Sequence, residues 1–345
     1  MSDSKLSEID HMTRHSPSPG ARRSRGFSLI ELLVSMTIGL IIVVAAGSAY
    51  LGASTAGKVS EAQSRMNEDA QAALNILTQQ LRMAGNNPNQ ANRVSASRLN
   101  PVYGTTTFTT SPGTFTTSFF NVVGCDGRFS NITATTATSL DMLTCVGGTT
   151  TLPDSIAINY EADRYNTVPT TAGLPTDCVG NALTTITATF PLTTPTSATS
   201  GTYTVADNRF YIGTSTGIVS PTLYCKGNGG TNAAQPLVEN IEDMQFTYGT
   251  VSTSTTATTA TVAGYLPADQ VVNETSLALL PTNADRWGKV LSVRICILVR
   301  SETFSAPDAA SARYDDCQGD RNVSAPDLRL RRAYSTTVVL RNRRF

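Results

Sequence analysis

The chain has 345 residues, 40% of them hydrophobic, and a formal net charge of zero, so it can hold a signal segment with one large domain or two small ones. Nothing in that balance points to a nucleic-acid surface. Both histidines, His11 and His15, precede residue 26. If that stretch is removed, Ser/His/Asp and Cys/His catalysis and histidine-held metals are excluded, so no catalytic residue, metal or cofactor is expected and the chain is not an enzyme.

Residues 1–26 are polar, contain Pro17, Pro19 and Gly20, and end in Arg22, Arg23, Ser24, Arg25, Gly26, so no packed structure is expected in this leader. Phe27 to Leu51 follows, an apolar run whose one charge is Glu31. As a helix it measures about 37 Å, enough to cross a hydrocarbon core of about 30 Å. The arginines before it should stay cytoplasmic, which places the rest of the chain outside. A cleaved secretory signal has an apolar stretch of only about 7 to 15 residues, and Ala45, Gly47 and Ala49 come too late to be its cleavage site. A plain anchor leaves Glu31 unexplained, because an unpaired carboxylate there costs on the order of a few kcal/mol.

The run G26-F27-S28-L29-I30-E31 before a long apolar helix resembles the type III signal of type IV pilins and type II secretion pseudopilins. The resemblance implies a prepilin peptidase cutting between Gly26 and Phe27 and methylating Phe27, with Glu31 as the assembly residue that neutralises the new amine of a neighbouring subunit. An amine of pKa about 8 is cationic at neutral pH. Two unit charges about 4 Å apart attract by about 4 kcal/mol at an effective dielectric near 20, comparable to the cost of burying the carboxylate.

Beyond the apolar run, Val59, Ala62, Met66, Ala70, Ala73, Leu77 and Leu81 recur at steps of three and four, and Gly85-Asn86-Asn87-Pro88 supplies a glycine cap and a proline stop. The helix is therefore expected over 27–86, membrane-spanning at 27–51 and amphipathic after it. Gly39, Gly47, Gly52 and Gly57 each cost about 1 kcal/mol against alanine, so the middle should either unwind locally or pack closely on a neighbour.

Residues 87–345 read as an extracytoplasmic β-rich domain with a threonine-rich variable region at about 100–200. Short strands are expected at 155–160, 184–190 and 209–213, and longer ones at 237–249, 289–301 and 330–343, with 289–301 central in its sheet. No second long helix is evident. The fold class is α+β, type IV pilin-like, with the long N-terminal helix packed on one antiparallel sheet domain. The threonine-heavy runs fit solvent-facing strands and loops, the Asp315-Asp316-Cys317-Gln318-Gly319-Asp320 stretch fits an ordinary loop better than a calcium loop, and the C-terminal arginines, Arg331 among them, fit alternating solvent-facing strand positions.

The six cysteines, Cys125, Cys145, Cys178, Cys225, Cys296 and Cys317, include no C-x-x-C pair. With an export signal, an even count reads as up to three disulfides, although six cysteines allow 15 pairings and buried free thiols remain the alternative. Neighbours in sequence are favoured, above all Cys296 with Cys317, a loop of about 20 residues worth roughly 3 kcal/mol.

The LRMAG helix end at 81–85, the NRFYIG and PTLYCKG segments, LVENIEDMQFTYG, Trp287 before GKVLSVRICILVRS, and RAYSTTVVLRNR together resemble the PilW family of minor pilins over about 26–86 and 203–345. That resemblance implies a non-catalytic subunit that enters a type IV pilus or primes its assembly, serving motility, adhesion or DNA uptake. Its partners would be the prepilin peptidase, other minor pilins and the major pilin, the inner-membrane assembly platform and, in some members, a tip adhesin. Such a chain is first a single-pass protein of the bacterial inner membrane with a periplasmic domain, then part of the pilus. Glu31 further implies a place below the cap of the tip complex, since capping members tend to lack it. A minor pseudopilin of type II secretion shares these features, and a membrane-anchored adhesin is the alternative from another class.

Overall fold

The computed structural model describes residues 26–88, 105–110, 113–118, 121–132, 143–146, 152–190, 199–215, 217–230, 233–251, 261–273, 280 and 282–342. The leader and most of the threonine-rich run at 131–151 lie outside them. The chain forms two compact units, Met1–Ser54 and Thr55–Phe345, and one helix, α1 (Leu29–Met83), contributes to both. It stays helical through its glycines, and a Cβ added at Gly39, Gly47, Gly52 or Gly57 would meet nothing within 4 Å. The local unwinding offered as one expectation is not seen. The helix ends where a side chain would obstruct its exit, because Gly85 takes the left-handed φ of 71° and Asn86 N–H bonds back to the Met83 carbonyl at 2.8 Å.

The first sheet, of the second unit, contains β1 (Thr105–Thr110), β2 (Gly113–Ser118), β3 (Val122–Cys125), β4 (Ser155–Glu161), β5 (Thr185–Phe190), β6 (Thr199–Ser215), β7 (Ile218–Lys226) and β8 (Gln235–Glu239). Its order runs β2-β1-β5-β6-β4-β3, with β7 bridging β6 to β8. The second sheet is β10-β9-β11-β12, from β9 (Ile241–Val251), β10 (Val262–Leu266), β11 (Val290–Arg300) and β12 (Arg331–Val339). All described pairings are antiparallel. Between β10 and β11 stand two short helices, α2 (Ala268–Asn273) and α3 (Asn283–Trp287); Thr282 caps the latter by accepting the Asp285 N–H at 3.1 Å.

Two expectations are corrected here. A single sheet was expected, and there are two. The supposed strand at 237–249 is two strands in different sheets, because Asn240 sits at a φ of 65° and turns the chain from β8 into β9. Asparagine tolerates that left-handed conformation where a branched residue would not.

The core joins both sheets to the helix. Ala62, Met66, Ala70, Ala73, Leu77 and Leu81 are buried, whereas Val59, placed on the same stripe from its spacing, is only half-buried. On β4 and β6 the paired residues Ile156 and Phe210, and Ile158 and Asn208, share the face toward α1, where Asn208 Nδ2 donates to Gln80 at 2.8 Å. Strand β11 is central and buried along most of its length, as its apolar run predicts. Trp287 is buried edge-on against Tyr248, ring centroids 4.8 Å apart.

Candidate functional site

In the first unit, Gly26, Phe27 and Ser28 precede the helix, and Phe27 is 85% exposed. The first helical bond runs from Leu32 N–H to the Ser28 carbonyl at 3.1 Å, which makes Ser28 the N-cap. Glu31 stands three residues on, and its carboxylate accepts the Ser28 N–H at 3.4 Å, one half of a capping box. The S-x-x-E spacing at 28–31 signals this local role, which sequence reasoning passed over. The carboxylate is exposed and its bond to Ser28 N–H is long, so it remains available to a stronger donor.

From Leu29 to Leu51 the large apolar side chains are exposed, and an 18-residue window here has a mean hydropathy of 2.5 with none of it buried. By length and composition the helix can cross a membrane. A continuous apolar surface of this size needs an apolar surrounding, lipid or other helices.

In the second unit the amphipathic part of α1 is held by polar clamps as well as by its apolar stripe. Tyr334 Oη donates to Asn67 at 2.6 Å, Asn240 Nδ2 to Asp69 at 3.3 Å and Asn342 Nδ2 to the Arg82 carbonyl at 3.0 Å. These bonds tie the helix to β12, to the β8–β9 crossing and to the C-terminal segment. The six cysteines form three disulfides between neighbours in sequence, Cys125–Cys145, Cys178–Cys225 and Cys296–Cys317, with Cα separations of 5.6, 6.4 and 5.6 Å. Each fastens a long loop to a strand: to β3, β7 and β11.

Buried charge lies where the sequence gave little warning. Arg209 and Asp207 pair at 2.6 Å with both side chains 2% exposed. Arg331, read as a solvent-facing strand residue, is instead buried in a pair with Glu242 and Asp327, because the loop before β12 folds over it. Asp154 staples the two sheets: its N–H donates to the Met244 carbonyl at 2.7 Å, and its carboxyl accepts from Gly127 and Phe246 N–H, each at 2.8 Å. Burial pushes that carboxyl up to about 8, against the pull of the two donors. In the 315–320 loop, Asp316 Oδ1 accepts from Gln318 and Asp320 N–H at 3.0 and 2.8 Å, ordinary turn chemistry. Among the described residues no group of three or more His, Cys, Asp or Glu side chains could hold a metal ion.

A family model described as type IV pilus-assembly protein W, PilW, matches residues 209–342. The model of the prokaryotic N-terminal methylation motif matches residues 21–47. Both bear out the resemblance read from the residues, the first covering β11, β12 and the Asn240 crossing, the second covering Gly26, Phe27, Glu31 and the start of α1. No curated protein and no solved structure matches the chain.

Proposed function

We propose that this chain, a membrane-anchored type IV pilin by its two family matches, is a minor subunit cut between Gly26 and Phe27, methylated at Phe27 and built into the pilus through α1. The observation that carries this reading is the exposed apolar run of α1, from Leu29 to Leu51, which starts just after Gly26 and holds one carboxylate, Glu31, in its first turn. The peptide bond to be cut lies outside the helix, and a Cβ at Gly26 would meet nothing within 4 Å, so a protease can reach the backbone. Cleavage frees a cationic amine on each subunit, and Glu31 of the next subunit exchanges its weak bond to Ser28 N–H for that amine. Apolar helix packing supplies the association and the charge pair sets its register.

The partners under this proposal are the prepilin peptidase, the major and other minor pilins and the inner-membrane assembly platform. The domain from Thr55 onward faces the periplasm before assembly and the cell surface afterwards. The test is Glu31→Ala against Glu31→Gln in cells that make pili. Both variants should insert in the membrane and be processed, yet fall by about tenfold or more in the sheared filament fraction, the scale of one lost charge pair of a few kcal/mol. Wild-type levels of either variant in that fraction would remove the assembly role from Glu31.

A further inference from the structure

Three stretches of the chain read N-x-[ST] with no proline between, Asn131-Ile132-Thr133, Asn273-Glu274-Thr275 and Asn322-Val323-Ser324, the acceptor pattern for a glycan on asparagine. So short a pattern recurs by chance, and the surroundings of each decide which is usable. Asn131 is half-buried, and its Oδ1 accepts the Thr144 N–H at 3.0 Å, so its carboxamide is committed to the loop it closes. Asn273 ends α2, with the buried Val271 two places before it.

Asn322 differs from both. It lies in the loop that the Cys296–Cys317 disulfide fastens to β11, where residues 318–322 and Ser324 are exposed. Its backbone is fixed in the left-handed region at a φ of 58°, a conformation asparagine tolerates. The Asn322 N–H donates to Asp315 at 2.9 Å, and its carbonyl accepts from Arg313 Nη1 at 2.6 Å. Its neighbour Val323 exchanges both backbone bonds with Tyr314, at 2.7 and 3.2 Å. None of these bonds uses the Asn322 carboxamide, so a substituent on Nδ2 disturbs nothing that holds the loop. Space is open there as well, since a Cβ added at Gly319 in the same turn would meet nothing within 4 Å. Two places before Asn322 stands Asp320, a carboxylate that a cationic side chain of an enzyme can grip, and two places after it Ser324 offers a hydroxyl. The corresponding positions before Asn131 and Asn273 are Phe129 and Val271, which offer no such handle.

We propose that Asn322 is an N-glycosylation site whose donor is a polyprenyl-pyrophosphate-linked oligosaccharide on the extracytoplasmic face of the membrane, where the pilin reading places this domain. In the transfer, Nδ2 of Asn322 bonds to the anomeric carbon of the first sugar, and the bond from that carbon to the pyrophosphate oxygen breaks. The lipid pyrophosphate leaves with the electron pair, and Nδ2 releases one proton to a base of the transferase; nothing is oxidised or reduced. The inference goes beyond the assembly role, because it gives the segment matched by the PilW model a covalent, hydrophilic cover.

The test is mass spectrometry of peptides spanning Asn322, taken from the full-length chain purified from its own pilus-producing cells, with the N-terminal peptide read in the same run. The expected result is a peptide heavier by one oligosaccharide that releases sugar fragments on collision. The added mass should be lost in Asn322→Gln and in Ser324→Ala, with formation of the Cys296–Cys317 disulfide on non-reducing gels as the check that each variant folds. A wild-type Asn322 peptide found only at its unmodified mass overturns the proposal whether or not the variants fold, and a chain that begins at Phe27 in that run leaves the pilin reading intact. A glycan confined to Asn131 or Asn273, or one at Asn322 that survives Ser324→Ala, overturns it equally.

Discussion

At the scale of single residues, buried polar groups decide more than exposed ones. Asp154 links β9 to the loop after β3 through three backbone bonds, and burial holds its carboxyl near 8, far above the unfolded value of about 3.9. The sign follows from linkage: a carboxyl raised by folding favours the protonated state, so its stabilising contribution is full below pH about 4 and is lost as pH rises through the folded value. Asp243, also raised by burial, acts in the same direction, while Asp308 and Asp327 are lowered and act in the opposite one. Thermal midpoints of the detergent-solubilised chain should therefore fall between pH 4 and 8 with a slope that flattens in Asp154→Asn. That variant also sets an amide donor against a backbone donor, so at pH 4, where the wild-type contribution is full, it should be less stable by about 1–3 kcal/mol, a deficit that shrinks as pH rises. An unchanged slope would mean that Asp154 does not titrate with folding. At the 207–209 pair, Asp207→Asn should cost about 3–5 kcal/mol by stranding Arg209 in the core, read as a shift in denaturant midpoint.

At the scale of elements, α1 serves two environments with one sequence. Its first part exposes every large apolar side chain, and its second buries a stripe that includes Leu77 and Leu81, both 0% exposed. Leu77→Ala should destabilise the second unit by about 2–5 kcal/mol through the cavity it leaves, measured by denaturant unfolding, without altering membrane insertion. Asn240 is the matching device in the sheets, and Asn240→Val should cost about 1–2 kcal/mol in the left-handed conformation beyond Asn240→Gly, which keeps the turn and loses only the bond to Asp69, about 0.5–1.5 kcal/mol. The helix was legible because its signal is periodic over many turns and ends in Gly85-Asn86-Asn87-Pro88. The division at Asn240 was not, since LVENIEDMQFTYG reads as continuous strand and a positive φ leaves no mark in apolar patterning. Arg331 was misread for a related reason: alternation along β12 says which face a side chain takes, but not that the preceding loop closes over that face. The Ser28–Glu31 box was visible as S-x-x-E and was overlooked because a filament role already accounted for the carboxylate.

At the scale of the whole molecule, the N-terminal unit supplies attachment and the second supplies a stapled, two-sheet body. The three disulfides belong to that body, which suits an oxidising compartment. Replacing Cys178 and Cys225 by serine releases a 47-residue span and should cost about 4 kcal/mol by loop entropy, visible as a lower thermal midpoint. The central claim is that processing at Gly26 makes the chain competent for assembly, and it is tested most directly by the intact mass and N-terminal sequence of the protein from cells with and without prepilin peptidase. A chain beginning at N-methylated Phe27 only when the peptidase is present is the predicted result; one beginning at Met1, or after Ala49, in both strains would contradict it.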